Sequence, residues 1–241
     1  MDWDAAESLL PETFWCATLR ELHDPPPYDR DLMRSLGLPG VQFGSMNRLH
    51  RSCLNLDLCR VSDGVQTSAP GRIYELERRG YYLQKDATRP LPIADGAFDW
   101  AYSEHFVEHL GLRGAIAWLR EVRRVVRTGG LVRITTPDLR RYAQAYLAGD
   151  TAFFAEHARQ LAAMGLPGAP VRPAWMVNQL FRFYGHRWIF DADELRHLAA
   201  AAGFDPATLK EYRFGEGQDP AVCKLDQAVR SDESLYVELV V

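Results

Sequence analysis

Between residues 40 and 135 the chain alternates short apolar runs with longer polar or amphipathic stretches. That alternation constrains its fold more than any other feature. The runs 41–43, 53–58, 81–85, 98–102 and 131–135 each have the length and apolar content of a buried strand. Between the last two, Leu112, Ala115, Ile116, Leu119, Val122 and Val126 recur at helical spacing, so 112–127 reads as an amphipathic helix. Thr128-Gly129-Gly130 then supplies a helix stop. Strands separated by helices predict an α/β fold, with a largely parallel sheet covered on both faces. Further helices are expected over about 138–148, 151–164 and 192–202, and two closing strands over about 208–214 and 234–241. The turn-rich stretch 60–72 reads as a surface insertion.

Ahead of this pattern, Leu9, Leu10, Phe14, Trp15, Leu19 and Leu22 also recur near helical spacing. Asp24-Pro25-Pro26-Pro27 breaks that helix, and a short second helix is expected around 30–36. The chain thus divides into an N-terminal helical extension, 1–36, and a main domain, 37–241. Trp3, Phe14 and Trp15 are unfavourable to leave in water, so the extension either packs on an outer helix or covers the cleft as a lid.

The 241 residues are 47% hydrophobic and 25% charged, as in an ordinary soluble globular protein. A net charge of −4 gives no general attraction to nucleic acid or to acidic membranes. No apolar stretch approaches the ~20 residues of a membrane span. Met1-Asp2-Trp3-Asp4 is acidic where a signal peptide carries positive charge. Cys16, Cys53, Cys59 and Cys223 show no CxxC spacing, in keeping with reduced thiols. The expectation is a cytoplasmic protein with a small-molecule substrate and without nucleic-acid or membrane partners.

Polar residues gather where an open α/β sheet takes its ligands, beyond the carboxyl ends of the strands. Gly44 follows the first run, Asp57 lies in the second and Asp86 follows the third. The fourth stops on Ser103, Glu104 and His105, with Glu108 and His109 close behind. His105-Phe106-Val107-Glu108-His109 matches the HxxEH signature of zinc peptidases. That motif belongs inside a helix, whereas here it begins at a strand-to-helix turn, so no metal ligand is assigned. No GxGxxG follows the first strand, which argues against dinucleotide binding.

Leu91-Pro92-Ile93, Asp95-Gly96-Ala97-Phe98-Asp99 and the Glu104-His105 to Glu108-His109-Leu110 text resemble the fourth-strand region of class I S-adenosylmethionine (SAM) dependent methyltransferases, type 11-like. Leu54-Asn55-Leu56-Asp57 is similar to that family's second strand, and Asp86-Ala87 to the residues after its third. The stretches 119–130, Thr136-Pro137-Asp138-Leu139, 190–204 and 234–238 continue the likeness, which covers roughly residues 40–241. The resemblance implies a Rossmann-like seven-stranded sheet, mostly parallel with the last strand antiparallel, and a helical insert on the substrate side within 136–190. It implies SAM as cofactor, with Gln42, Gly44, Ser45 and Met46 at the methionine end. Asp57 would take the ribose, Asp86 and Ala87 the adenine, with Ser103 and Glu104 along the border. One departure stands out: where the family has GxG, this chain reads Gly44-Ser45-Met46-Asn47. A side chain at the second glycine implies a displaced loop or an altered cofactor pose.

Methyl transfer to a small-molecule acceptor is the implied activity. His105 is the candidate base, since a neutral imidazole is available near pH 7. Tyr184 and His186 are candidates for orienting the acceptor, and Trp15, Asp138, Trp175 and Trp188 for the substrate side; an aromatic cage from Trp175, Tyr184 or Trp188 would also attract the cofactor's sulfonium. An alternative keeps SAM but cyclises or cleaves it, as azetidine-2-carboxylate synthases do. A non-catalytic SAM-binding scaffold is a third reading.

Overall fold

The computed structural model describes residues 13–241, and in it the five apolar runs lie side by side as parallel strands. The first elements are two short strands, β1 (Thr13–Trp15) and β2 (Leu19–Glu21), and helix α1 (Arg30–Ser35). Strands β3 (Gly40–Phe43), β4 (Cys53–Asp57), β5 (Arg60–Ser62), β6 (Ile73–Leu76), β7 (Gly80–Gln84) and β8 (Phe98–Glu104) follow. Helix α2 (Leu112–Val125) leads into β9 (Val126–Pro137). The rest carries α3 (Leu139–Ala148), α4 (Thr151–Ala163), α5 (Pro173–Arg182) and α6 (Ala192–Ala201). Strand β10 (Lys210–Tyr212), helix α7 (Pro220–Cys223) and strand β11 (Ser234–Val240) close the chain.

The main sheet has the order β10-β11-β9-β8-β3-β4-β7-β6-β2. Within it β7, β4, β3, β8 and β9 are parallel to one another. β11 runs antiparallel to β9, and β10 antiparallel to β11, so β10 points with the parallel strands. These seven make the Rossmann-like sheet that the resemblance implied. Two antiparallel strands, β6 and β2, widen its other edge. The stretch expected as an insertion supplies β5, which pairs with β1 outside the main sheet.

The N-terminal extension is corrected in part. Leu9, Leu10 and Trp3 lie outside the described residues, but Phe14 and Leu19 sit on strands, where a helix was expected. Leu19 pairs with Leu76 at the sheet edge and packs beside Tyr74 and Tyr82. An open edge offers backbone partners that a short amphipathic segment in water lacks. The second expected helix is α1, capped by Asp29, whose Oδ1 accepts the Leu32 N–H at 2.9 Å. Tyr28 and Met33 are fully buried in the main core, so this part of the extension is a component of the fold.

On α2, Ala115, Trp118, Leu119, Val122 and Val125 are buried at three- and four-residue spacing and face the sheet together with α6. Each such leucine or valine contributes about 1.5–3 kcal/mol by leaving water. Trp100 and Tyr102 of β8 point into a separate cluster with Cys53, Val222 and Leu225. Helices α3 to α5 form a smaller core of their own around Tyr142, Phe154, Leu161 and Met176. Among the described residues no helix is long and apolar enough to cross a membrane.

Candidate active site

Strands β7, β4, β3 and β8 are neighbours that end on the same side of the sheet, and the chain order reverses between β3 and β8. Open α/β sheets bind ligands at such switch points. A cavity of about 350 Å³ lies there, walled by Leu56, Ala87 and Leu110 among others. That volume is within the range of small-molecule sites, about 300–1,000 Å³.

One end of the cavity is made by strand termini. The Asp57 Oδ2 accepts the Met46 N–H at 2.8 Å and its Oδ1 the Cys59 N–H at 3.1 Å, tying the loop after β3 to the end of β4. Past β7, the Asp86 Oδ1 accepts from the Thr88 amide at 2.9 Å and the Thr88 hydroxyl at 2.7 Å. Gly44 has φ +68°, and a Cβ there would lie 2.6 Å from the Phe106 ring, so both conformation and space demand glycine. Met46 has φ +44°. Its backbone takes up the left-handed turn that a glycine would adopt freely, at about 1–2 kcal/mol of strain.

The other end is assembled from two distant segments. A single 3-10 turn, Val107–His109, follows β8, and a second, Phe183–Gly185, follows α5. The Arg187 and Trp188 amides donate to the Glu108 carbonyl at 2.7 and 3.2 Å, fastening one segment to the other. His105, His109, Tyr184 and Arg187 thereby share the cavity wall. His105 and Tyr184 are left-handed without being glycine, at φ +47° and +59°. Such strain persists only where the surroundings enforce it.

Burial dominates the electrostatics of this end. It holds His105 well below the usual imidazole range, helped by Arg230. The Arg230 Nη1, which can only donate, lies 2.9 Å from the His105 Nδ1, and the Nε2 lies 2.8 Å from the Ser234 Oγ. Burial and the neighbouring His186 push His109 down to about 4. Burial pushes Glu108 up to about 8 and the Tyr184 phenol up to about 12. His186 is lowered by burial, and its Nδ1 lies 2.7 Å from the Leu180 carbonyl.

Of the residues singled out from the sequence, Gly44, Met46, Asp57, Asp86, Ala87, His105 and Tyr184 line the cavity. Gln42, Ser45, Ser103 and Glu104 are buried outside its lining, and His186 adjoins His109 at 4.9 Å between ring centroids. Glu104 accepts from Arg48 and from the Gln227 amide, each at 2.7 Å, so it fastens the 226–230 segment to the sheet. Arg230 donates to the His105 Nδ1, the lone pair that the base role expected of His105 would use.

The four acceptor-binding candidates lie elsewhere. Trp15 is 69% exposed on β1. Asp138 caps α3 by accepting the Arg140 N–H at 2.9 Å. Trp175 stands edge-on to Phe183, and Trp188 lines an outer groove with Leu139 and Phe181. The insert has a core of its own to fill, and only its 184–187 turn returns to the cavity. His109, Phe106, Lys85 and Arg187 line the cavity without having been singled out for it. The HxxEH spacing pointed at His109, whereas Arg187 was passed over between the two candidates His186 and Trp188.

A family model described as Methyltransferase domain matches residues 30–209. The chain belongs to this methyltransferase family. It is a transferase, and SAM is its cofactor. The residues present fit that cofactor: two carboxylates at adjacent strand ends share one largely apolar cavity with a glycine-bounded loop. No curated protein matches the chain.

Among solved structures, a chain from the complex of the Haloferax volcanii Trm112 methyltransferase activator with a methyltransferase is 12% identical, with TM-score 0.47, covering 89% of this chain and 84% of that one. A SAM-dependent methyltransferase from Archaeoglobus fulgidus is 12% identical, with TM-score 0.45 and coverages of 88% and 92%. The Burkholderia thailandensis 1,6-didemethyltoxoflavin-N1-methyltransferase, solved with 1,6-didemethyltoxoflavin and S-adenosylhomocysteine, is 13% identical, with TM-score 0.43 and coverages of 87% and 74%. At these scores the likeness carries no argument of its own.

Proposed function

We propose that this methyltransferase acts on a small-molecule acceptor, with SAM held at the Asp57 and Asp86 end and the acceptor at the His109 and Tyr184 end. The supporting observation is that both ends open into one cavity of about 350 Å³, with 184–187 along its wall. That space suits a small molecule better than a folded polymer. When bound, SAM supplies an activated methyl group on a sulfonium.

The chain's own residues hold and align. Each Asp57 oxygen already accepts one backbone N–H and keeps a further lone pair for a ribose hydroxyl. Asp86, oriented by Thr88, takes the adenine amine in this reading. On the acceptor side the Tyr184 hydroxyl makes no hydrogen bond among the described residues and its phenol stays protonated, so it keeps a proton to donate to an acceptor oxygen or nitrogen. Arg187 adds a cation to the wall, which favours an acceptor carrying an acidic group. Fixing two reactants in line supplies much of the rate in such displacements. In this reading residues 1–36 form an extension, 37–241 the catalytic domain, and the insert within 136–190 furnishes the acceptor side.

Mass spectrometry of protein incubated with SAM, with and without a small-molecule acceptor library, tests the reading. S-adenosylhomocysteine and a methylated product are expected only with an acceptor. Methylthioadenosine from SAM alone would favour cyclisation or cleavage instead, and turnover only with nucleic acid or protein would overturn the small-molecule assignment.

A further inference from the structure

Glu108, His109 and His186 bring one carboxylate oxygen and two imidazole nitrogens within 4.8 Å of one another. Donors around a single first-row ion, at bonds of about 2.0–2.2 Å, lie roughly 3–4.4 Å apart, so small side-chain rotations close the remaining gap. Glu108 is fully buried, and among the described residues its Oε1 makes no hydrogen bond, while the Thr136 hydroxyl donates to the Oε2 at 3.1 Å. That Oε1 lies 3.3 Å from the His105 Nδ1, a nitrogen to which Arg230 already donates, and no hydrogen bond joins the two.

His186 is oriented as metal-binding histidines are. Its Nδ1–H donates to the Leu180 carbonyl at 2.7 Å, which leaves the Nε2 lone pair exposed for a ligand. His109 stands beside it at 4.9 Å, ring edge to ring face, and itself lines the cavity. HxxEH binds zinc from within a helix, so the motif alone places no metal here. The structure replaces the first histidine of that motif with His186, from 77 residues beyond His109 along the chain.

We propose that Glu108, His109 and His186 bind a first-row divalent cation at the acceptor end of the cavity, where it takes an oxygen of the acceptor. Two imidazoles and a carboxylate without thiolate suit manganese, iron, cobalt or zinc. Three protein ligands leave positions open toward the cavity, and a cation there lowers the pKa of a hydroxyl that it binds. An oxygen acceptor needs that help, since its proton must leave before the oxygen is a good nucleophile. The acceptor's place in this inference rests on the proposed function; the cation site does not.

Chelator-treated protein titrated with Co²⁺ and followed by visible absorption tests it, alongside calorimetry with SAM. One equivalent of Co²⁺ with nitrogen- and oxygen-type ligand-field bands is expected in the wild type. Glu108→Gln, nearly isosteric, and His186→Gln should each weaken Co²⁺ binding by more than about tenfold, the loss that even outer-sphere partners produce. SAM affinity should stay unchanged in both variants. No Co²⁺ binding to the wild type, sulfur-to-cobalt charge-transfer bands, or binding undiminished in the folded Glu108→Gln protein would overturn the site. Failure of the wild type to bind SAM would instead overturn the functional reading and leave the cobalt result standing.

Discussion

At the Asp57 end of the cavity every group lies within three residues of a strand end, whereas the His109 end joins segments at 105–109 and 183–187. Asp57 and Asp86 are placed by backbone geometry that β4 and β7 impose wherever they occur in such a sheet. The imidazole end depends on tertiary fastening: two amides on the Glu108 carbonyl, Arg230 and Ser234 on His105, and Gln227 on Glu104. A site can therefore be half local and half assembled, and the assembled half should yield first when the scaffold is loosened.

The largest expected effect comes from the tie beneath the assembled half. Arg133 of β9 is fully buried, with the Asp226 carboxylate bidentate on it at 2.9 and 2.6 Å and Glu238 at 2.8 Å. Asp226 begins the segment that carries Gln227, Arg230 and Ser234. Arg133→Met leaves two buried carboxylates unpaired and should lower stability by about 3–5 kcal/mol in denaturant unfolding. Hydrogen exchange should show protection lost first around 215–234 and 105–109, with β4 and β7 holding longer. Uniform loss would erase the distinction between the two ends.

Gly44→Ala acts where the ends meet, since the new Cβ strikes Phe106 and the left-handed backbone resists a side chain. A loss of about 1–3 kcal/mol is expected in thermal or denaturant unfolding, the scale of overpacking.

The insert behind the imidazole end carries a pH signature. Burial opposes a charge on His157, but the Asp232 hydrogen bond and the Glu233 charge outweigh it and raise its pKa above 6.5. Tyr142 and Gln179 complete the cluster. A raised imidazole stabilises the fold fully below its unfolded pKa, and that stability is lost as pH climbs through the folded one. His157→Gln should therefore destabilise most near about pH 6 and progressively less above it, read as the difference in unfolding free energy from wild type. A constant difference would mean that the histidine is neutral throughout.

Smallest is Met46→Gly. It removes about 1–2 kcal/mol of left-handed strain and adds about 0.5–1 kcal/mol of unfolded-state entropy, for a net gain between about 0 and about 1.5 kcal/mol. A loss of stability would show that the methionine side chain, not the turn, holds the loop.

What the sequence revealed follows the same division. Strand periodicity and the α2 stripe marked the sheet and its helices, and Gly44, Asp57 and Asp86 could be found because each sits at a strand end. Edge strands β2 and β6 are short, and Leu19 within its helical spacing looked no different from a helix residue. The partners of His109 are non-local: Arg187 and His186 arrive through a turn whose position depends on how α3 to α5 pack. Trp15 and Trp175 drew attention by residue type, and Trp188 also by following the fifth strand, but neither says where a ring points. Met46 was read as a displaced loop or an altered cofactor pose; its backbone takes the left-handed conformation, at φ +44°.

The most direct test of the account is calorimetric titration of SAM into the wild type and Asp57→Ala. One site is predicted in the wild type, weakened in Asp57→Ala by about 1.5–3 kcal/mol, or roughly 10- to 150-fold, the scale of hydrogen bonds to a charged group. His186→Gln at the other end should bind SAM like the wild type. Equal SAM affinity in wild type and Asp57→Ala would contradict the account.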